Sequence, residues 1–222
     1  MHQTVKNLLN IQEKVKENIN QNKLRINPNI IAVSKTFEVD HIKYLIDYGH
    51  KDFGENKVQE AIEKWTTIKN NNVDLNLHLI GKLQTNKVKF ALKLFDYIHS
   101  LDSEKLAKKI SDYQERNNIS AKFFIQVNIG NEEQKSGISQ NQLDEFYNFC
   151  KKLNLNVIGL MCIPPIDGNN KLYFKKMLDL KNNLGLNELS MGMSSDYIEA
   201  LSYSATYLRI GSGIFGQRST KF

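Results

Sequence analysis

The chain has 222 residues, 41% of them hydrophobic and 24% charged, a length and balance that support a packed core without disulfides or metal. Its 30 Lys+Arg against 24 Asp+Glu give a formal charge of +6, which favours anionic ligands; no aromatic platforms interleave with a basic patch, so nucleic-acid binding is not expected. Cys150 and Cys162 form no CxxC pair, which argues against a disulfide framework or a zinc site and for a reducing, cytoplasmic setting.

In chain order, the first residues place Leu8, Leu9, Ile11 and Val15 at roughly helical spacing, so a leading helix is expected within residues 1–25. This segment lacks the apolar stretch of a signal peptide, and no window approaches the apolar length of a membrane span. Thereafter short β-rich runs alternate with longer helical patterns. The expected strands are 30–35, 52–56, 77–81, 97–102, 122–129, 156–163, 189–194 and 207–211. The expected helices between them are 40–48, 57–69, 84–94, 103–116, 140–153, 172–184 and 196–203, with Asp40, Ser103 and Ser195 as capping residues. Alternation of this kind implies parallel strands joined by right-handed crossovers. Eight repeats in this length point to an α/β fold of a single domain over 1–222: a (β/α)8 TIM barrel with an additional N-terminal helix. Functional groups of such barrels sit at the C-terminal ends of the strands, which here carry Lys35, Asn56, Gly81, Asp102, Asn128, Met161, Ser194 and Arg209.

The first strand, Ile30-Ile31-Ala32-Val33-Ser34-Lys35, alternates so that Ile31, Val33 and Lys35 share one face and Ala32 and Ser34 the other. An ammonium group at the end of so apolar a run either snorkels or reacts. Held above an apolar layer it loses hydration, which lowers its pKa and frees the amine to attack a carbonyl, so an aldehyde could be captured as a Schiff base. Strand eight ends in Arg209-Ile210-Gly211-Ser212-Gly213, with Arg209 and Gly211 on one face. The glycine-rich loop is either a phosphate cradle or a plain closing turn. Ser190 and Ser194 of Leu189-Ser190-Met191-Gly192-Met193-Ser194 could help hold a phosphate, while Ser195, with Glu199 nearby, reads as a capping box. Asn56 closes strand two and doubles as a candidate helix cap, and His78 within Leu77-His78-Leu79 reads first as a hydrogen-bonded core residue.

Taken together, AVSKT, DFGENKVQE, HLIGKLQTNK, IHSLDSEKLA, QVNIGNEEQKSGI, GLMCIPP, LSMGMSSD and RIGSGIFGQR resemble the pyridoxal 5′-phosphate homeostasis proteins, over residues 30–218. That family is similar in fold to the barrel domain of alanine racemase. The resemblance implies pyridoxal phosphate as cofactor, with Lys35 as the Schiff-base lysine and Arg209 facing the pyridine nitrogen. It further implies Asn56 beside the ring and Gly211, Ser212, Ser190 and Ser194 around the phosphate. An arginine at the ring nitrogen disfavours ring protonation and makes the cofactor a poorer electron sink. A racemase adds a second base from a further domain, and this chain is used up by the barrel. The expectation is therefore a non-catalytic carrier or buffer of pyridoxal phosphate with no catalytic or metal-binding residues. It would act as a monomer, with pyridoxal phosphate-dependent apoenzymes as recipients. The alternative is a racemase or decarboxylase of the same fold, for which Cys162 and His78 are the candidate acid–base groups.

Overall fold

The computed structural model describes residues 1–72 and 74–217, so Arg218, at the end of the stretch that carries the resemblance, lies outside the described residues. Its helices are α1 (Gln3–Gln21), α2 (Val39–Asp47), α3 (Val58–Asn71), α4 (Val88–Leu94), α5 (Glu104–Asn117), α6 (Leu143–Lys152), α7 (Asn170–Asn183), α8 (Tyr197–Leu201) and α9 (Ser212–Phe215). Its strands are β1 (Asn29–Val33), β2 (Asp52–Glu55), β3 (Asn76–Leu79), β4 (Tyr97–Leu101), β5 (Lys122–Gln126), β6 (Val157–Met161), β7 (Glu188–Met193) and β8 (Tyr207–Ile210). All the strand pairs are parallel and the order β1 to β8 is sequential, with β8 pairing back on β1 through Ile31 opposite Arg209. The fold is the eight-stranded α/β barrel with an N-terminal helix. Closure leaves the sheet without an edge and sets residues from both ends of the chain side by side.

Period-two alternation partitions the side chains into two cores. Ile31 and Val33 point inward and pack with Tyr97, Phe124, Met161 and Tyr207 in the barrel lumen, whereas Ile30 and Ala32 point outward into the larger layer under the helices. Helix α1 buries Val5, Leu8, Ile11 and Val15, and Asn7 Nδ2 donates to the Ile214 carbonyl at 2.9 Å, which ties the leading helix to α9.

Several expected boundaries move, each for a local reason. Ser103 caps α5 as expected, its hydroxyl accepting from Leu106 N–H, but α2 begins after Glu38, with Asp40 already inside the first turn. The cap of α3 is Lys57 rather than Asn56, whose side chain is turned toward the barrel mouth. The cap of α8 is Asp196 rather than Ser195, because the Asp196 carboxylate accepts from Met193 N–H at 2.6 Å and closes the preceding turn one residue later. Strand β5 stops at Gln126 because the Asn128 side chain exchanges hydrogen bonds with both backbone groups of Glu132, folding the chain into a loop. The expected helix 84–94 begins as a 3-10 turn over Thr85–Lys87, and the short helix α9 follows directly on the glycine-rich loop.

Candidate functional site

Lys35 follows β1 by two residues and inherits the inward face of Ile31 and Val33. The chain turns sharply after it: Thr36 has φ 68°, a left-handed conformation unfavourable for a β-branched residue, and its N–H donates to Glu60 Oε1 at 2.6 Å. The neighbouring Ser34 is pinned on the opposite face. Its hydroxyl donates to the buried Glu55 Oε1 at 2.8 Å, and the same oxygen accepts from Trp65 Nε1 and Lys64 Nζ, both at 2.9 Å. Lys64 also donates to the Ser34 carbonyl at 2.9 Å. Residues on either side of Lys35 are thus held by α3, which directs the lysine to the mouth.

A cavity of about 510 Å³ opens at the C-terminal end of the barrel, and Lys35, Asn56, Ser194, Arg209, Gly211 and Ser212 all line it. Strands one, two, seven and eight therefore deliver six of the seven expected site residues to one space. The seventh, Ser190, is fully buried one layer below and touches Arg209 instead.

Each lining group is positioned by a separate device. Asn56 holds its side-chain oxygen buried with no hydrogen-bond partner, a state that costs about 1–3 kcal/mol unless something in the cavity donates to it. Its main chain packs against Gly81 so tightly that a Cβ there would lie 2.2 Å from the Asn56 carbonyl oxygen. Ser194 Oγ accepts from Gly213 N–H at 3.1 Å and so joins the end of β7 to the glycine-rich loop. At Gly211 the nearest atoms to a Cβ would be those of Val33 at 3.6 Å, an ordinary contact, so packing within the chain does not demand glycine there.

Arg209 is 5% exposed. Its Nη1 donates to the Ser190 carbonyl at 2.5 Å and hydroxyl at 2.6 Å, and its Nη2 donates to the Cys162 carbonyl at 2.8 Å. Burial lowers its pKa, partly offset by Cys162 and Asp196, and an arginine keeps its charge through such a shift.

Beneath Arg209 runs a polar line that inspection of the sequence missed. His99 Nδ1 lies 2.8 Å from Ser190 Oγ, His99 Nε2 lies 3.0 Å from His78 Nδ1, and His78 Nε2 lies 3.0 Å from Asp52 Oδ1. His78 is the hydrogen-bonded core residue expected; His99 and Asp52 are additions. The available signal was a histidine in the middle of each of two apolar strand runs, Leu77-His78-Leu79 and Ile98-His99-Ser100-Leu101. Burial lowers the pKa of both rings, further for His99, where His78 and Arg209 act in the same direction. The Cys162 thiol is buried and its pKa is pushed up to about 12. Neither Cys162 nor His78 is among the groups lining the mouth cavity.

The cavity suits pyridoxal phosphate by the chemistry of its donors. A primary amine and a guanidinium line one space with a loop of small residues, and Asn56, whose side-chain oxygen is buried without a partner, lines it too. Among the described residues no group of three or more His, Cys, Asp or Glu could hold a metal ion, and no helix is long and apolar enough to cross a membrane.

Comparison with known proteins agrees with this fold. The family model for the alanine racemase N-terminal domain matches residues 12–219. A pyridoxal phosphate homeostasis protein of Aquifex aeolicus is 40% identical over 199 residues, covering 85% of this chain and 86% of that protein. The protein of the same name from Haemophilus influenzae is 35% identical and covers 96% of this chain and 95% of its own length. The structure of PipY from Synechococcus elongatus with pyridoxal phosphate bound superposes with a TM-score of 0.76 at 31% identity, covering 91% of this chain and 100% of that one. Alanine racemase of Clostridium difficile shares the fold at 16% identity and a TM-score of 0.67, with 58% of its chain covered.

Proposed function

The chain belongs to the pyridoxal phosphate homeostasis proteins, within the alanine racemase N-terminal domain family, and from that premise we propose that it holds pyridoxal phosphate at the barrel mouth as a carrier or buffer without turning over amino acids. The observation that carries this reading is the convergence of Lys35, Arg209 and the unpartnered Asn56 oxygen on one cavity.

When bound, the cofactor supplies an aldehyde that condenses with a primary amine, together with a phosphate dianion. Lys35 provides that amine. Ser194, Ser212 and the backbone at Gly211 would receive the phosphate, the small side chains letting main-chain N–H groups approach. Arg209 would meet the ring nitrogen with a permanent positive charge, which disfavours a proton there. Asn56 would lie beside the ring. Ser190 acts from below, through Arg209.

Binding without turnover is supported by where the acid–base candidates lie. Cys162 is buried with a thiol pKa of about 12, and its carbonyl serves Arg209. His78 is committed to the line beneath the floor. Neither faces the cavity as a second base, which is what the racemase or decarboxylase alternative needs. The barrel acts as one domain in this reading, and apoenzymes that use pyridoxal phosphate are its recipients.

The test is reduction of the loaded protein with borohydride followed by peptide mapping. A single pyridoxyl group on Lys35, absent from Lys35→Ala, is the expected result; a label retained in that variant overturns the assignment. Incubating the loaded protein with single amino acids in deuterated water tests the second half, since sustained exchange at Cα at enzyme-like rates would show a catalyst.

A further inference from the structure

The line of polar groups beneath Arg209 has a direction, and its two ends set it. Asp52 carries a carboxylate: burial pushes its pKa up, the hydrogen bonds from His78 and Asn76 pull it down, and the net shift is downward. A carboxylate only accepts, so His78 Nε2 carries a proton toward Asp52 Oδ1. In a neutral ring this leaves His78 Nδ1 as an acceptor, so His99 Nε2 carries the next proton. His99 Nδ1 is then an acceptor in turn and receives the Ser190 hydroxyl hydrogen. At the other end the Arg209 guanidinium can only donate, and Nη1 donates to Ser190 Oγ. One arrangement of protons therefore satisfies every member with both rings neutral.

The rings have little freedom to leave this arrangement. Tyr97 stacks on His78 and Phe124 on His99, each with ring centroids 4.3 Å apart. All the members except Asp52 are buried, and the line crosses the lumen from the start of β2 through β3, β4 and β7 to β8. At its foot Asp52 is also held by Asn76 Nδ2 at 3.1 Å and borders a second cavity at the opposite end of the barrel. The direct acceptors of Arg209 are neutral oxygens, and the carboxylate that acts on it, Asp196, does so from a distance.

We propose that Asp52, His78, His99 and Ser190 are positioning residues for the cofactor: a one-directional hydrogen-bonded relay that fixes the orientation of the Arg209 guanidinium and carries the Asp52 charge to it. The relay sets how strongly Arg209 engages the ring nitrogen, and in that respect it rests on the reading that pyridoxal phosphate occupies the mouth. The arrangement of protons does not rest on that reading.

The first measurement is made on the ligand-free protein. Nitrogen-15 spectra of the imidazoles at neutral pH are expected to show both rings neutral with the proton on Nε2. The guanidinium N–H resonances of Arg209 are expected to be sharp from hindered rotation, and rotation speeds up severalfold in Ser190→Ala. A ring found doubly protonated or protonated on Nδ1, or an Arg209 whose rotation is unchanged in Ser190→Ala, overturns the relay. The second measurement loads pyridoxal phosphate labelled at the ring nitrogen. Asp52→Asn, which removes the charge and keeps an acceptor, is expected to shift that resonance and weaken binding roughly tenfold, as loss of an outer-shell partner does elsewhere. An unmoved resonance in both Asp52→Asn and Ser190→Ala overturns the charge-carrying role. If Asp52→Asn does not fold, Ser190→Ala decides alone. Should the wild-type protein bind no pyridoxal phosphate, the functional reading falls while the imidazole and guanidinium spectra still decide the relay.

Discussion

Strand β2 carries two carboxylates, Asp52 at its start and Glu55 at its end, and the barrel uses them in opposite ways. Glu55 points outward and is neutralised on the spot: Lys64, Trp65 and Ser34 all bond one of its oxygens within 2.9 Å. Asp52 points into the lumen, and the cation at the other end of its line, Arg209, is reached only through His78, His99 and Ser190. A charge compensated by its neighbours is a structural fastener. A charge whose compensation ends at the wall of a cavity leaves something for a ligand to engage. The same contrast holds across β1, where Ser34 joins the Glu55 cluster and Lys35, the next residue, faces the mouth.

Four experiments break or sharpen that comparison. The largest expected effect is at the mouth: Lys35→Ala should abolish borohydride-fixed labelling while the Ser34–Glu55–Lys64 cluster stays intact; a loss of stability as large as that of Glu55→Ala would mean that the two faces of β1 are not separate. Next comes Glu55→Ala, which leaves Lys64 its Glu60 partner but takes the acceptor from the buried Trp65 Nε1 and the Ser34 hydroxyl, and should cost about 1–3 kcal/mol for each group left unsatisfied, read in urea unfolding. A loss under 1 kcal/mol, by the scale of exposed pairs, would show the cluster to be no fastener.

A smaller effect is expected at the seam between β2 and the segment after β3. Gly81→Ala places a Cβ against the Asn56 carbonyl, and overpacking of this kind typically costs about 1–3 kcal/mol. Because Asn56 must move, pyridoxal phosphate affinity should fall together with stability, and titrating the variant beside wild type would show whether the two losses track.

The smallest and most selective effect is that of pH. His78, His99 and His50 have pKa values lowered mainly by burial, so as pH falls through the usual histidine range near 6.5 the unfolded chain binds protons that the folded chain refuses. The stability they protect is complete above that range and is lost below it, by at most about 1.4 kcal/mol per pH unit for each ring. Thermal melts between pH 7.5 and 5 (roughly the histidine titration range) should show this decline, and His99→Phe should flatten it. A melt that is level across the range would place the rings outside the relay.

The amino-acid order alone decided much of this molecule. Alternation of β-rich and helical runs specifies a parallel, helix-covered sheet, and period two along Ile30 to Lys35 specifies which side chains share a face with the lysine. These are local properties, written in neighbouring residues. Tertiary structure alone decided the rest. Ser190 was legible as a serine near a phosphate loop, but its partner His99 lies 91 positions away and Asp52 lies 26 from His78, and no periodicity relates such pairs. Likewise the unsatisfied side-chain oxygen of Asn56 shows only in the closed barrel, where Gly81 packs against the main chain of the same residue. Hydrogen bonds between distant strands depend on register and on barrel closure, and both are set by the packing of the whole sheet rather than by any stretch of it.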